Sequence, residues 1–478
     1  MKAYEKYISK ESVEKVHENT LKILSEIGIN FENTRALEVF KKHGARVEGD
    51  TVFIDEKMLE TALKTAPRKF MIYSNSYKDM EIGGGSMMKI ALASNIYIQD
   101  GDKIRKTTNE DNINQFKMGV MSPVIDSAVL NQFPDAQKFT AEEKVFGVYA
   151  MDLKYSGKSH INANEMTLGL DPEAVYDLTR KGIQLIKEFE GIRDQYVCYR
   201  SLNVLSPLTY DSAPVEKIFA ACDENQPLIL SPCAMPVLTG PPSVAGILSM
   251  NNAEILAGLV LIQLIRPGTG FVYGNTSGSS DLKTLQLTIG TPETALIAYG
   301  TAALADYYGL PFRTGGSLSD AKDLDGQAGA ETMMLLKATI DVQPDVIYHT
   351  IGTMGTFNVL SLEKFIMDEE IIGMLERERS GIDCSEEKLC FDAIRKVGPR
   401  GTFLKGRTPK MYREEFYRAA LFNKEDPNQW QNEGSVSIKE KARAEVKKRL
   451  EAYEAPERTK DQCKLLDAFI PQIYREGI

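Results

Sequence analysis

The chain has 478 residues, and its net charge of −10, from 57 Lys and Arg against 67 Asp and Glu, argues against a general nucleic-acid-binding surface. No apolar run reaches transmembrane length and no apolar signal region opens the chain, so we expect neither a membrane protein nor a secreted one. Six scattered cysteines form no CxxC pair, which favours a reducing, cytoplasmic location.

Residues 1–85 are predicted to form a helical cap. The stretch Ser12–Ile27 places apolar residues on one side at helical spacing, and Gly28 is a natural stop for that helix. A second helix-like stretch, Met58–Ala66, follows. Because this region holds too few apolar residues for a large core of its own, we expect it to pack on the rest of the chain.

Eight short apolar runs, each followed by a helical pattern, lie between Met87 and Met374. A strand followed by a helix, repeated about eight times, is the sequence form of a (β/α)₈ barrel. Prolines near several helix starts support the count. The predicted strand–helix pairs are Ile90–Ile98 with Asn109–Gly119, Val124–Leu130 with a helix after Gln137, Lys154–Ile161 with Pro172–Glu188, Tyr196–Asn203 with Ala213–Cys222, Leu228–Ser231 with Pro242–Arg266, Phe271–Gly274 with Pro292–Tyr307, Pro311–Thr314 with Gly326–Ile340, and Val346–His349 with Ser361–Leu375.

Residues 381–478 include a charged and strongly helical stretch, Lys439–Tyr453. We therefore predict an α/β fold in which a (β/α)₈ barrel over residues 86–380 carries helical extensions at both ends, 1–85 and 381–478. In that fold the catalytic groups lie at the C-terminal ends of the strands.

The predicted barrel shows no signature of a bound metal. The four histidines are His17, His43, His160 and His349, and no HxH, HExxH or Cys/His cluster is present. Cys198 lies on a predicted strand and Cys233 follows one, where packing residues are commoner than ligands. We therefore predict that this chain binds no metal.

The predicted strand ends carry neutral amides and aromatic rings. A single Asn in a loop is commonly a turn residue, but several at equivalent positions indicate a shared lining. Aromatic rings with neutral amides are a plausible receptacle for a quaternary ammonium group, which has no N–H to donate. These residues are Tyr97 near the end of the first strand, Asn131, Gln132 and Phe133 after the second, Asn162 and Asn164 after the third, Asn203 at the fourth, Asn275 after the sixth, and Phe357 after the eighth.

Several blocks of the sequence resemble the trimethylamine methyltransferase superfamily, over about residues 11–460. The most specific is the loop from Gly315 to Lys322 with the segment Asp325, Gly326, Gln327, Ala328 and Gly329. The other blocks are Val16–Leu21 running to Gly28, Asn203–Leu208, Asn252–Gly258 leading into Pro267-Gly268, and Glu363 with Asp368-Glu369.

The resemblance implies a (β/α)₈ fold and methyl transfer from a methylated amine to the cobalt of a separate corrinoid protein. The archetype of the family carries pyrrolysine, whereas this chain has standard residues, and we place the equivalent position near 326–329. Members without pyrrolysine resemble glycine betaine methyltransferases, which act on quaternary amines. Such an amine leaves as a neutral tertiary amine and needs no acid, which suits a mouth without an evident acid–base set.

A betaine also carries a carboxylate. Arg313 and His349, at the ends of the seventh and eighth strands, are the candidates to hold it by charge-assisted hydrogen bonds. Alternatively, Arg313 forms a structural ion pair with Asp320 or Asp325, and His349 is a packing residue.

We therefore expect a methyltransferase that moves a methyl group from a betaine-type quaternary amine, such as glycine betaine, proline betaine, carnitine or butyrobetaine, to the Co(I) of a corrinoid protein. The predicted substrate-binding residues are Tyr97, Phe133, Asn203, Arg313, His349 and Phe357, with Tyr210 and Tyr273 as further rings to consider. Cobalamin is expected on the partner, since this chain lacks a DxHxxG motif, and the chain is expected to form a homo-oligomer. The alternatives are a non-catalytic paralogue that binds a quaternary amine, and another barrel enzyme such as a lyase.

Overall fold

A computed structural model describes residues 2–158, 169–404 and 406–478. The N-terminal region alternates short strands with helices. Its elements are a 3₁₀ turn at Ala3–Lys6, α1 (Lys10–Lys22) continued by a π-helical turn at Ile23–Ile27, β1 (Ile29–Phe31), α2 (Thr34–Lys42), β2 (Arg46–Glu48), β3 (Thr51–Phe53), α3 (Glu56–Thr65), β4 (Phe70–Ile72) and β5 (Met80–Ile82).

The central region repeats a strand and a helix. Its elements are β6 (Met88–Ala93), β7 (Tyr97–Asp100), β8 (Lys103–Lys106), α4 (Asn109–Met121), β9 (Ser127–Leu130), α5 (Ala141–Tyr155), α6 (Pro172–Glu190), β10 (Arg200–Val204), β11 (Thr209–Tyr210), α7 (Ser212–Asp223), β12 (Leu228–Pro232), α8 (Val244–Ile265), β13 (Phe271–Gly274), β14 (Ser279–Asp281), β15 (Gln286–Thr288), α9 (Pro292–Tyr308), β16 (Phe312–Gly315), α10 (Gly326–Val342), β17 (Val346–Tyr348), β18 (Thr353–Met354), β19 (Val359–Leu360) and α11 (Leu362–Arg379).

Seven of these strands form one sheet, in the order β10, β12, β13, β16, β17, β6 and β9. Every pairing in it is parallel. Apart from the step from β17 back to β6, each strand lies beside the next one of the series in the chain. This order of parallel strands with intervening helices is that of a β/α barrel, and the predicted fold class is confirmed.

The sheet curves around a closed apolar interior. Val129 of β9 and Tyr199, just before β10, lie at opposite ends of the strand order, yet both belong to a single buried cluster. A flat sheet would hold these two ends far apart, so the shared cluster requires curvature. The other buried members of the cluster are Phe70, Ile72, Ile82, Met88, Ile90, Leu92, Ile229, Val272, Val346 and Tyr348.

Two predicted strands differ from the structure. The predicted first strand, Ile90–Ile98, is two strands, β6 and β7, because the chain turns at Ser94 and Asn95 and leaves the barrel. In the predicted third strand, Lys154–Ile161, residues 154 and 155 end helix α5 and residues 159–161 lie outside the described residues. Asn162 and Asn164 lie outside them as well.

The helices agree more closely with the sequence pattern. Pro172 and Pro292 open α6 and α9, where a missing N–H leaves no hydrogen bond unmade. Helix α8 is long and apolar enough to cross a membrane by composition, but 89% of its most apolar window is buried in the protein. Its hydropathy is therefore that of a core helix.

The N-terminal region packs on the outside of the barrel. Val13, Val16 and Leu24 join residues of α7, α8 and α9 in one buried cluster. Besides its helices, the region contains the strands β1, β2 and β3, which were not predicted and which form a small sheet with β11. These strands are only three residues long, below what sequence periodicity resolves.

The hairpin of β4 and β5 closes the bottom of the barrel. Its apolar side chains belong to the barrel interior, and Asp345, just before β17, accepts hydrogen bonds from Gly83 N (3.0 Å) and Gly85 N (2.8 Å). Gly83 has a φ of +118°, and a Cβ there would lie 2.6 Å from Arg68 O. The three glycines from Gly83 to Gly85 therefore form a turn that positions the start of β6.

The C-terminal region is helical. The division of the chain into 1–85, 86–380 and 381–478 stays a prediction, since these regions share packing. The elements of this region are α12 (Glu386–Leu389), α13 (Phe391–Val397), α14 (Lys410–Glu415), α15 (Pro427–Asn432), α16 (Ile438–Glu451), α17 (Lys460–Asp467) and a 3₁₀ turn at Gln472–Tyr474.

A fully buried ion pair joins helix α11 to two loops at the C-terminal ends of the strands. The side chains of Lys364 and Asp368 have no exposed surface, and Lys364 Nζ lies 2.8 Å from Asp368 Oδ2. That oxygen also accepts from Ser317 Oγ (2.6 Å) and Gly352 N (2.7 Å). The loops after β16 and β17 are thereby fixed to one helix.

Replacing Lys364 by Met should destabilise the protein by about 3–5 kcal/mol, because it leaves the Asp368 carboxylate buried without its cation. The double variant Lys364→Met/Asp368→Leu should lose less, since no unpaired charge remains. Urea denaturation of both variants measures the difference. The control is Lys64→Met, which breaks an exposed pair with Glu60 and should change stability by less than about 0.5 kcal/mol. A single variant no less stable than the double would contradict this account.

Candidate binding site at the barrel mouth

Arg313 is the central charged group of the barrel mouth. It lies on β16, is 4% exposed, and its guanidinium carbon stands 4.7 Å from the centre of the Tyr348 ring. Its Nη1 donates to the backbone oxygen of Asn275 at 3.0 Å. No carboxylate among the described residues pairs with it, so this cation is buried without a counter-ion from that part of the chain.

The two carboxylates considered as partners from the sequence are engaged elsewhere. Asp320 accepts from the backbone N–H groups of Ile289 and Gly290, and Asp325 caps helix α10 through the backbone N–H groups of Gln327 and Ala328. A structural ion pair of Arg313 with either residue is therefore wrong. Burial lowers the pKa of Arg313, Tyr348 and Tyr199 partly oppose this effect, and the resulting pKa of about 10 keeps the group protonated at neutral pH.

Two buried polar atoms at the floor of the mouth have no hydrogen-bond partner among the described residues: Arg313 Nε and Ser231 Oγ. Gly274 adjoins both residues, because a Cβ there would collide with Ser231 Oγ and lie 3.1 Å from Arg313 Cγ. Unpaired buried polar atoms are rare in native proteins and call for an explanation. A bound ligand that accepts hydrogen bonds would satisfy both of them.

A pair of tyrosines forms the aromatic part of the floor. Tyr348 Oη donates to Tyr199 Oη at 2.8 Å, and the two rings meet edge to face with centroids 6.4 Å apart. Burial raises the pKa of both phenols, so both are neutral. The sequence contained Tyr199 and Tyr348 within predicted strands, but it did not show that their side chains point inward.

His349 and Phe357 stand together above this floor. Their rings are 4.8 Å apart at 51°, and both residues have left-handed backbone, with φ of +50° and +66°. Both also border a cavity of about 30 Å³ that reaches toward α9 and α10. That volume is about the share of one liquid water molecule, so a larger ligand would occupy the open mouth.

His349 is neutral in the folded protein. Burial, together with the positive charge of Arg313, lowers its pKa to about 3. The imidazole therefore offers one donor and one acceptor rather than a second positive charge. A neutral His349 gives no charge-assisted hydrogen bond, whereas a protonated Arg313 can, and a role of either residue in substrate binding stays a prediction.

A chain of buried amides links Arg313 to helix α8. Asn275, whose backbone oxygen accepts from Arg313, donates through Nδ2 to Asn251 Oδ1 at 3.3 Å, and Ser277 Oγ donates to the same oxygen at 2.7 Å. Asn251 in turn donates to Glu254 at 2.9 Å, which also accepts from the backbone N–H of Leu208 at 2.7 Å. The network fixes the loops after β10 and β13 and holds the arginine in place.

The other predicted binding residues are spread around the barrel. Asn203 shares the inward face of β10 with Tyr199 and is exposed in the mouth. Tyr97 begins β7, in a four-stranded sheet with β8, β18 and β19 beside the mouth, and is 38% exposed. Phe133 instead packs against Phe139 and Tyr474 in the outer layer. Of the three predicted aromatic residues, Phe357 and Tyr97 therefore lie at the mouth, whereas Phe133 does not.

Tyr210 and Tyr273, the further rings considered, face away from the barrel interior. Tyr210 Oη donates to Glu254 O at 2.7 Å and Tyr273 Oη donates to Asn252 Oδ1 at 2.9 Å, both on helix α8. Strand alternation reverses a side chain's direction at every residue, so a one-residue uncertainty exchanges mouth and outer layer.

The segment 325–329 forms the start of helix α10. Gly326 and Gly329 have open space where a Cβ would point, and Gln327 Nε2 donates to Glu331. Its correspondence to the pyrrolysine position stays a prediction. The preceding loop is held from below, because Ser319 Oγ and Asp320 N both donate to Glu331 at 2.8 Å.

Among the described residues, no group of three or more His, Cys, Asp or Glu side chains is placed to hold a metal ion. Cys233 Sγ lies 3.5 Å from Thr276 O, which gives it a packing environment. That the isolated chain carries no metal or organic cofactor stays a prediction.

Exposed apolar side chains surround the mouth on one side. Leu205 follows β10, Val237 follows β12, and Leu282 and Leu285 lie in the β14–β15 hairpin after β13. Each is more than half exposed. Because these loops all follow C-terminal strand ends, they share one face of the barrel, and we call these four residues the apolar rim.

A family model described as trimethylamine methyltransferase (MTTB) matches residues 2–477. An L-carnitine:corrinoid methyltransferase of Eubacterium limosum is 38% identical, over 99% of this chain and 98% of that protein. A proline betaine:corrinoid methyltransferase of the same organism is 36% identical over 98% of both chains. A glycine betaine methyltransferase of Desulfitobacterium hafniense (strain Y51) is 36% identical, over 98% of this chain and 97% of that protein.

The lowered pKa of His349 makes stability depend on pH. Between about pH 3 and about pH 6.5, the ordinary histidine pKa, the unfolded chain binds a proton at this site that the folded chain does not. Stability from this group is complete above that window and falls as the pH falls through it, by at most about 1.4 kcal/mol per pH unit. His349→Asn should therefore flatten the dependence of unfolding free energy on pH between about pH 4.5 and about pH 6.5. The same substitution at the exposed His43 is the control, and an unchanged slope in His349→Asn would refute the assignment.

Proposed function

Because the chain belongs to the trimethylamine methyltransferase family, we propose that it transfers a methyl group from a betaine-type quaternary amine to the cobalt of a corrinoid protein. The three relatives compared above are named for proline betaine, L-carnitine and glycine betaine. All three compounds combine a quaternary ammonium with a carboxylate.

The observation that carries this proposal is the buried Arg313 at the floor of the mouth. A buried cation without a counter-ion is unfavourable in the free protein. A substrate carboxylate would neutralise it and would accept hydrogen bonds from Arg313 Nε and Ser231 Oγ, the two atoms left without partners. Binding of a betaine would therefore remove the unfavourable free energy of the unpaired, buried cation.

The same charge orients the substrate. Arg313 attracts the carboxylate and repels the ammonium, so the zwitterion binds with its carboxylate on the floor and its methyl groups toward the opening. His349, neutral at physiological pH, adds no second repulsion. Phe357 and Tyr97 lie on the outer side of the mouth, where an aromatic face attracts a quaternary ammonium.

The proposed reaction requires little proton transfer by this chain. The corrinoid presented by the partner supplies, as Co(I), the electron pair that accepts the methyl group, while the amine nitrogen keeps the pair of the broken N–C bond and leaves neutral. The mouth residues desolvate the cation and align one methyl. Repulsion between Arg313 and the ammonium is relieved as nitrogen loses its charge, which favours the transition state over the bound substrate.

The apolar rim suits the approach of a separate protein that brings a large macrocycle to the mouth. Four exposed apolar side chains on loops around one opening form the kind of surface that partners cover. The identity of the corrinoid partner, a cytoplasmic location and the absence of a cofactor on this chain remain predictions.

A methyl-transfer assay over a panel of amines tests the proposal. With reduced cobalamin or a corrinoid protein as acceptor, at least one of glycine betaine, proline betaine, carnitine and butyrobetaine should be demethylated, and trimethylamine should be a poor substrate. Binding of a betaine without demethylation would indicate the non-catalytic alternative. Efficient turnover of trimethylamine would refute the substrate class.

Arg313→Met separates carboxylate recognition from ammonium binding. It should weaken the affinity for the betaine about 10- to 100-fold, the value of a charge-assisted hydrogen bond. Affinity for tetramethylammonium, which has no carboxylate, should stay equal or rise because the repulsion is gone. Calorimetric titration measures both ligands. Arg313→Lys, which retains the charge but not the planar fork, is the matched control and should show an intermediate loss. Equal weakening of both ligands would remove the carboxylate role.

Phe357→Leu keeps an apolar wall but removes the ring quadrupole. The expected result is a rise in KM of about 2- to 30-fold for the betaine, from a cation–π contact of about 0.5–2 kcal/mol, with a smaller fall in kcat. Steady-state kinetics measure the split. Tyr97→Leu should act in the same direction, and Phe133→Leu, in the outer layer, is the control that should leave KM unchanged. If KM changes in neither Phe357→Leu nor Tyr97→Leu, the ammonium is held elsewhere in the mouth.

A further inference from the structure

Residues 382–418 form an arm of the C-terminal region with no core of its own. Its helices α12, α13 and α14 have four, seven and six residues, and none of the three contains a buried residue. Helices this short are not stable in water by backbone hydrogen bonding, and they persist in proteins because an apolar face is packed. The arm therefore lacks the packing surface that its helices require.

The arm instead exposes its apolar side chains. Of the 22 exposed large apolar side chains among the described residues, nine lie in this arm, so they are concentrated far beyond chance in one segment. Two rings of the arm stack on each other at 4.6 Å while both remain about half exposed. The nine are Ile382, Leu389, Phe391, Ile394, Phe403, Leu404, Tyr412, Phe416 and Tyr417.

The arm is also positively charged within an acidic protein. Residues 382–418 have nine Lys or Arg and six Asp or Glu, a net charge of +3, whereas the whole chain has a net charge of −10. Five of these cations are exposed and form no ion pair with the described residues: Lys396, Arg400, Arg407, Arg413 and Arg418. The surface of another copy of this chain, excluding the arm, is acidic and complementary to it.

The arm lies on the side of the barrel away from the mouth. It is tied to the end of helix α11 by the ion pair of Arg377 with Glu415 (3.0 Å). The same last turns of α11 lie at the start of β6, where Lys89 pairs with Glu376 at 2.9 Å. Since catalytic loops follow the opposite ends of the strands, the attachment of the arm at α11 lies on the other side of the barrel from the mouth.

We propose that the arm 382–418 is an interface with a second copy of this chain. Its apolar side chains would be buried against the partner, and its unpaired cations would face acidic groups there. A second copy fits better than the corrinoid partner, because the arm is on the other face, and its charge is opposite to that of the rest of the chain. This inference does not depend on the proposed substrate.

The test compares the full-length wild-type protein with two variants by sedimentation velocity over a range of concentrations. Phe403→Ser/Leu404→Ser removes two exposed apolar side chains from a segment between helices. Arg407→Glu/Arg413→Glu reverses the charge at two unpaired cations. The wild type should be a dimer or larger, and each variant should dissociate with a constant raised about a hundredfold or more. Ile473→Ser, which removes an apolar side chain that is 70% exposed outside the arm, is the control and should assemble like the wild type.

Circular dichroism and the urea midpoint of the dissociated variants distinguish loss of assembly from loss of folding, and both should report a folded protein. A monomeric wild type would overturn the proposal, as would variants that assemble unchanged. If the wild type is monomeric and the arm variants raise the KM for a corrinoid protein, the arm serves that partner instead. A monomeric wild-type protein that binds anionic lipid vesicles through the arm would likewise overturn the proposal. None of these outcomes depends on which amine is demethylated.

Discussion

The positive charge of Arg313 inside the barrel is the constraint around which the mouth is built. A guanidinium that is 4% exposed must be held by aromatic faces and carbonyl oxygens when no carboxylate of the described chain pairs with it. Tyr348 supplies the ring and Asn275 the oxygen. Gly274 leaves the space that the arginine occupies, and His349 stays neutral in its field. An anionic group bound beside Arg313 would supply the missing counter-ion, and this is the physical basis of the proposed selectivity for a carboxylate.

The residues that carry the family resemblance are mostly the supports of this mouth. Glu254 joins the loop after β10 to helix α8, and Asp368 with Lys364 joins the loops after β16 and β17 to helix α11. Each is a buried polar group whose hydrogen bonds cross between elements. Such networks specify one loop arrangement, because a partly satisfied network in a low-dielectric interior is costly. The motif residues Glu254 and Asp368 therefore stabilise the loops of the mouth, and neither is among the residues expected to contact the substrate.

The two faces of the barrel present different surfaces. The C-terminal face has a small apolar rim around an opening, which suits a partner that docks and leaves. The opposite side carries the arm 382–418, with more exposed apolar surface and an excess of positive charge. The proposed interface with a second copy and the proposed docking of a corrinoid protein therefore use separate surfaces and could be occupied at the same time.

The sequence by itself determined the fold class and most element positions. Phe271–Gly274 is a strand with the predicted limits, and Pro292 opens a helix as predicted, because strand and helix periodicities and proline punctuation are local properties. The sequence also placed Arg313 and His349 at strand ends. It did not decide which way side chains point: Tyr199 and Tyr348 face the interior, and Phe133 lies in the outer layer. Only the tertiary structure decided that Arg313 has no carboxylate partner in the described chain and that His349 is neutral, because burial and distance between separate strands set these properties, and neither is encoded in local spacing.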